Sequence, residues 1–147
     1  MRKIEDLLPS AIKAVEKYIA KGNKVPLPFK GYISSFGASV IHSSLLPTLA
    51  FYSESKGAKG DRSMLIPAML YVLNEGKIII LDDVTKKTLH EIEKFPEELP
   101  AKMYIFFQWI LKEDTNALTS KLNKASVALK LALRIFEPEN LKKKKNE

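Results

Sequence analysis

The sequence predicts an all-α protein, a single compact helical domain of about five to seven helices. Three observations carry this prediction. Apolar residues recur at steps of three and four over most of the chain, which is the spacing of amphipathic helices. Glycine and proline interrupt these stretches where helices would end. The chain has 147 residues, a length typical of one domain.

The first helix is predicted from Lys3 to about Lys21. Its apolar face is formed by residues three and four positions apart: Ile4, Leu7, Leu8, Ile12, Val15 and Ile19. Pro9 lies inside this span and favours a shortened start, whereas Gly22-Asn23 is a C-terminal stop signal. An extended connector over 24–28 then leads to a second helix, predicted from about Phe29 to Ser43.

The second helix combines large apolar residues with many small ones. The large residues at helical spacing are Tyr32, Ile33, Phe36, Val40 and Ile41. Glycine, alanine and serine fill most of the positions between them. Because small side chains let two helix backbones approach closely, we expect this helix in a crowded packing position. Pro47 lacks a backbone donor, so the helix is expected to kink or restart there and to run to about Ser55.

The middle of the chain is predicted to hold a loop, a helix and a connector. Residues 56–62 are rich in glycine and lysine and read as a flexible loop. A third helical region follows over 65–73, with Asp61 or Ser63 as its N-cap. Ile78 to Leu81 is a short aliphatic run, but the sequence offers it no partner strand. We therefore interpret it as a buried extended connector.

The C-terminal half predicts three further helical stretches. Asp83 is the expected cap of a short helix, and an aromatic-rich helix follows Pro100. Residues 113–116 either divide the last two helices or lie within one long helix. Pro138 ends the helical region. The predicted division is a helical domain over 1–138 and a flexible basic tail over 139–147.

Composition and charge restrict the function. The chain has no cysteine, which excludes disulfides, zinc thiolate sites and thiol catalysis within it. No apolar run is long enough for a membrane span, and no signal peptide is evident, so we expect a cytoplasmic protein without a membrane partner. The net charge is +7. Residues 1–62 hold ten Lys or Arg and five Asp or Glu, which favours an anionic partner such as nucleic acid. Lysine far outnumbers arginine, which also fits a thermophilic host.

Seven cations are the candidate nucleic-acid-binding residues. Four are spaced along the predicted first helix and its end, and three lie on the glycine-rich loop: Lys13, Lys17, Lys21, Lys24, Lys56, Lys59 and Arg62. The first four are predicted to share one helical face, where like charges destabilise a helix by about 0.2–0.5 kcal/mol per pair. An anionic partner would reverse that cost. The alternative is an ordinary solvated face and surface turn, since lysines near a helix C-terminus also favour its dipole.

Other chemically suggestive residues favour structural roles. Tyr104, Phe106, Phe107 and Trp109 have the spacing of a buried helix face rather than of a base-stacking platform, although Tyr104 or the edge of Trp109 would suit a subunit interface. Asp82-Asp83 stands where a helix cap belongs. His42 and His90 are isolated, and no serine elbow or HExxH motif is present. We expect no catalytic residues, metal, cofactor or small-molecule substrate, and therefore no enzyme.

The order of features around the second helix resembles one family. A small-residue helix leads into Ile41-His42-Ser43-Ser44-Leu45-Leu46-Pro47-Thr48-Leu49-Ala50-Phe51 and then a lysine- and glycine-bearing loop. This order is similar to the small, all-helical subunit of the type III-B CRISPR (Cmr) RNA-targeting complex. Ser44 stands where that family has glycine, and Pro47 is a second departure.

The resemblance implies a non-catalytic subunit of an antiviral ribonucleoprotein. Several copies would stack beside the backbone subunits, which cleave RNA in that family. The partners implied are the other subunits, further copies of the chain, the guide RNA and the target RNA. The alternative is a helical protein–protein assembly adaptor with no direct nucleic-acid contact.

Overall fold

Helices dominate the computed structural model, which describes residues 3–54 and 56–139. The seven α-helices within these ranges are α1 (Ile4–Ala14), α2 (Leu27–Ser43), α3 (Leu45–Ser53), α4 (Leu65–Glu75), α5 (Asp83–Lys94), α6 (Leu99–Ile110) and α7 (Thr115–Leu133). Short 3-10 turns precede α4 and α6. The predicted all-α class is confirmed.

One hydrophobic core joins these helices into a single domain. α7 packs against α1, α2 and α4, and α1 also packs against α4. α5 pairs with α6, and α2 pairs with α3. Leu7, Phe36 and Phe106 are fully buried at different points of this core. Every helix therefore buries residues in the same cluster, and its stability depends on packing against the others.

The first helix ends earlier than predicted. After α1 the chain forms one π-helical turn, Val15–Ile19, and Ala20 is extended (φ −78°, ψ 144°). The wider turn buries Tyr18, whose hydroxyl donates to the Leu89 carbonyl oxygen at 3.0 Å. Lys21 and Lys24 therefore lie beyond the helix, and the prediction that four lysines share one helical face is wrong.

A short parallel β-pair joins the segment after the π-helical turn to the segment after α7. β1 (Lys24–Val25) pairs with β2 (Glu137–Pro138). The Glu139 N–H donates to the Val25 carbonyl oxygen at 3.0 Å, so the folded region includes the first residue of the predicted tail. The rest of that tail, residues 140–147, lies outside the described residues.

The breaks between helices occur at residues whose backbone conformation or side-chain hydrogen bonds end or start a helix. Ser44 has a positive φ of 70° and separates α2 from α3, so the restart predicted at Pro47 occurs three residues earlier. Pro47 falls in the first turn of α3, where a missing N–H costs little. Asp82, rather than Asp83, caps α5 by accepting from the Thr85 N–H at 2.8 Å. Asp114 caps α7 in the same way, so residues 113–116 divide the last two helices.

The aliphatic run before α5 is a connector and not a strand, but it is not buried throughout. The Ile78 and Ile79 N–H groups bend back to the Leu73 carbonyl oxygen. Ile79 and Leu81 are buried, whereas Ile80 is 87% exposed. The interpretation of α2 as a crowded helix is wrong. Phe29, Ile33, Phe36 and Val40 face the core, and most of the small residues fall on the opposite, exposed side.

Candidate anion-binding surface

One open depression brings together lysines from two separate parts of the chain. It has a volume of about 500 Å³ and is lined by Lys13, Glu16, Lys17, Lys59, Tyr71 and Glu93. Lys13 and Lys17 come from α1 and the π-helical turn, whereas Lys59 comes from the glycine-rich loop. We call this feature the lysine basin. It unites members of the two groups that the sequence analysis treated separately.

Lys17 is held by an internal ion pair. Its Nζ lies 3.1 Å from both carboxylate oxygens of Glu93 and 5.5 Å from the centre of the Tyr71 ring. The hydrogen bond to Glu93 raises the pKa of the Lys17 ammonium, against a smaller opposing effect of burial. Much of the charge of Lys17 is thus neutralised, and Lys13 and Lys59 carry the accessible positive charge of the basin.

The loop that carries Lys59 is fixed by its backbone. The Gly60 N–H donates to the Tyr18 carbonyl oxygen at 3.0 Å, and Gly60 has a φ of +84°. The Asp61 carboxylate accepts from the Ala58 N–H at 3.2 Å and from the Ser63 N–H at 3.1 Å. The Gly60 bond joins the loop to the π-helical turn, and the two Asp61 bonds hold the loop's own conformation. This is how Lys59 comes to line the same depression as Lys13.

The Arg62 side chain is held by contacts within the protein rather than left free in solvent. Its Nη2 donates to the Glu54 carbonyl oxygen at 3.0 Å, and its guanidinium carbon lies 4.1 Å from the centre of the Phe51 ring. The Nη2 atom is also 4.0 Å from the Glu54 carboxylate. These contacts tie the loop to the end of α3. A phosphate would have to compete with them, so Arg62 contributes less to an RNA surface than the sequence suggested.

The remaining three candidates lie outside the basin lining. The Lys21 and Lys24 backbones bond to each other in a turn, at 2.8 and 3.1 Å. The Lys21 side chain is exposed, and that of Lys24 is partly buried beside β2. Lys56 is exposed on the loop. Of the seven candidates, the structure therefore groups three in one depression, and the other four lie outside its lining.

Sequence reasoning missed the acidic and aromatic partners of the basin. Glu93 lies 76 residues from Lys17, and no spacing rule connects positions so far apart. It also missed a second group of cations, Lys30, Lys130 and Arg134, on another side of the molecule. Lys130 and Arg134 are four residues apart near the end of α7, a spacing that would have indicated a shared face.

Most of the residues given structural roles have them in the structure. Phe106 is fully buried, Trp109 is 5% exposed and Phe107 is partly buried against the core, so the prediction of core packing is confirmed for these three. It is wrong for Tyr104, which is 60% exposed. His90 Nδ1 lies 4.0 Å from Glu93 on the surface, and His42 is exposed. Within residues 3–54 and 56–139, no three His, Asp or Glu side chains are grouped so as to hold a metal ion.

Comparison with known proteins gives no significant match to a family model, a curated protein or a solved structure. The resemblance to the Cmr small subunit therefore stays a prediction. Among the described helices, none combines the length and apolar character that a membrane span requires.

Proposed function

We propose that the chain is a non-catalytic small subunit of a type III-B CRISPR ribonucleoprotein in the cytoplasm. It stacks with further copies of itself and with other subunits, and its basic surface helps hold the guide RNA and its target. The resemblance over 41–57 supports this proposal, and so does the all-α fold. RNA cleavage is assigned to other subunits, as the resemblance implies.

The observation that carries the RNA-binding part is the convergence of Lys13 and Lys59 in the lysine basin. A phosphate backbone needs cations spaced over a few ångströms but no base-specific geometry. Lysine is a flexible point charge that suits such contacts. Glu16 and Glu93 reduce the net charge of the basin, so binding by one chain would be weak. Several copies side by side would add their contributions.

RNA binding across a salt series tests the proposal. In Lys13→Ala/Lys59→Ala, two phosphate contacts are lost, and the slope of log affinity against log salt should become shallower by about 1.4, because each contact to a single strand contributes about 0.7. The measurement is fluorescence anisotropy of labelled single-stranded RNA with the full chain, alone and with its copurifying subunits. Lys87→Ala/Lys112→Ala removes two exposed lysines outside the basin lining and is the matched control. Equal slopes for the two variants would refute the basin as an RNA surface.

Glu93→Gln should strengthen RNA binding. The change removes the carboxylate that neutralises Lys17 and frees a third ammonium in the basin. The salt slope should steepen by up to about 0.7. The two side chains are each 29% exposed, so loss of the pair should cost only about 0–1 kcal/mol of stability. Glu97→Gln, which also removes one acidic charge from an exposed site, is the control. Weaker RNA binding by Glu93→Gln would contradict the proposed role of Lys17.

The alternative function is a protein–protein adaptor without RNA contact. It is favoured by large apolar side chains that face solvent, above all Ile80 at 87% and Ile41 at 81% exposed. Exposed aliphatic residues of this kind are typical of assembly surfaces when they form part of a larger patch. If the chain is such an adaptor, Lys13→Ala/Lys59→Ala should assemble with its partner proteins as the wild type does. Any RNA binding by the assembled complex should also be unchanged.

A further inference from the structure

A groove with an apolar floor lies between the start of α2, the end of α7 and the β-pair. It has a volume of about 290 Å³. The apolar residues that line it are Val25, Pro26, Leu27, Leu133, Phe136 and Pro138. We call it the α2–α7 groove. Leu27 is 39% exposed, so the floor is accessible and not sealed within the core.

Three cations surround this floor. They are Lys30 on α2 and Lys130 and Arg134 at the end of α7. Within the part of the chain that the structure describes, none of the three forms an ion pair. Two carboxylates lie at the β2 end of the groove: Glu137 accepts from the Asn23 side chain and Glu139 accepts from the Leu27 N–H, both at 3.4 Å. Their hydrogen bonds come from neutral groups and leave them charged, so three cations face two carboxylates. The groove therefore combines aliphatic surface with a small excess of positive charge.

A second depression continues from the first and shares Lys130 with it. It has a volume of about 200 Å³ and lies between α2 and α7. Gly37 and Asn123 both line it, and a Cβ atom at Gly37 would lie at ordinary contact distance, 3.9 Å, from Asn123 Oδ1. That oxygen is shielded from solvent and accepts no hydrogen bond within the described residues. That atom is therefore out of reach of a bound segment, and the second depression adds space beside Lys130 rather than a hydrogen-bonding site.

We propose that the α2–α7 groove binds a short segment of a partner protein in which aliphatic side chains alternate with aspartate or glutamate. The aliphatic side chains would cover the floor, and the carboxylates would pair with Lys30, Lys130 and Arg134. Complementary charge of this kind fixes the register of a bound segment and speeds its association. This inference goes beyond the proposed RNA-binding function and does not depend on it.

The chemistry of the groove disfavours two other occupants. RNA phosphates could contact the three cations, but they would leave the mostly aliphatic floor uncovered, because stacking of bases needs exposed aromatic rings and Phe136 is only partly exposed. The chain's own C-terminal residues follow Glu139 at the edge of the groove, but they contain Lys142 to Lys145. Four lysines would be repelled by a rim of the same sign.

The test uses a short fluorescent peptide of alternating leucine and glutamate. Binding to the full chain should weaken about tenfold in Lys130→Glu/Arg134→Glu, because the rim then repels the carboxylates. A similar loss is expected for Leu27→Ser, whose side chain is already partly exposed. Lys13→Glu/Lys59→Glu is the control and should bind the peptide as the wild type does. Peptides with lysine for glutamate, or serine for leucine, should bind at least about tenfold more weakly.

Several results would overturn the inference. No measurable binding of the leucine–glutamate peptide would do so, as would equal binding by the wild type and the rim variant. Loss of RNA binding in the rim variant without any peptide binding would assign the groove to RNA instead. Markedly tighter peptide binding by a chain that ends at Glu139 would show that the chain's own C-terminal residues occupy the groove.

Discussion

Gly60→Ala is expected to destabilise the protein by about 2–6 kcal/mol. Gly60 has a φ of +84°, where a residue with a Cβ atom is strained, and such strain costs about 1–3 kcal/mol. The added Cβ would also lie 2.5 Å from Pro26 Cγ and 2.8 Å from the Ile19 carbonyl oxygen. Because one of these contacts is to backbone, the loop must shift, at a further cost of about 1–3 kcal/mol.

Gly31→Ala provides the matched control. Gly31 lies in α2, and a Cβ atom there would meet nothing within 4 Å. The same chemical change should therefore stabilise the helix by about 0.5–1 kcal/mol. Thermal and urea unfolding of both variants measure the difference, and each kcal/mol corresponds to about 3 °C in Tm for a domain of this size. If both variants were as stable as the wild type, the loop would not have the backbone conformation described above.

Gly60→Ala should also weaken RNA binding. The Gly60 N–H bond to Tyr18 places the neighbouring Lys59 beside Lys13, and a displaced loop separates the two ammonium groups. RNA affinity at a temperature where the variant is still folded isolates this effect from unfolding. Gly31→Ala should retain wild-type affinity, because it lies outside the basin lining.

Tyr18→Phe is expected to change how stability depends on pH. Tyr18 is 1% exposed, and burial raises the pKa of its hydroxyl well above the ordinary value of 10.0. Above about pH 10 the unfolded chain releases this proton, whereas the folded chain keeps it. The unfolded state then binds fewer protons, so stability falls as pH rises, by about 1.4 kcal/mol per pH unit for this one group. Phenylalanine has no such proton, and the variant should lose less stability.

The free energies of unfolding of the wild type and of Tyr18→Phe, plotted against pH, should therefore converge or cross at alkaline pH. Near pH 7 the variant lacks the bond from the Tyr18 hydroxyl to the Leu89 carbonyl and should be about 1 kcal/mol less stable. By about pH 11 the wild type should have lost that advantage. Urea unfolding at a series of pH values measures both slopes. Tyr104→Phe, at a side chain that is 60% exposed, should follow the wild-type curve. Parallel curves for the wild type and Tyr18→Phe would contradict the described burial.

The helical parts of the fold could be predicted because their signals are local. The apolar spacing of α5 and the polar cap at Asp61, which starts the 3-10 turn before α4, depend on residues within one or two turns. The end of α1 could not be predicted in the same way. Tyr18 turns inward because the Leu89 carbonyl accepts its hydroxyl from the other half of the chain, and that distant contact favours the π-helical turn which ends the helix before Lys21.

The candidate site was predictable in its residue types but not in its arrangement. Sequence alone determined an all-α fold, a basic N-terminal half and a set of lysines suited to phosphate. The tertiary structure decided which of these lysines lie together: Lys59 reaches Lys13 through the Gly60 bond to Tyr18, and Glu93 neutralises Lys17 from α5. The physical reason is that amphipathic spacing depends on residues a few positions apart and can be recognised in the sequence. Ion pairs between distant segments depend on distances that only the packing of the helices establishes.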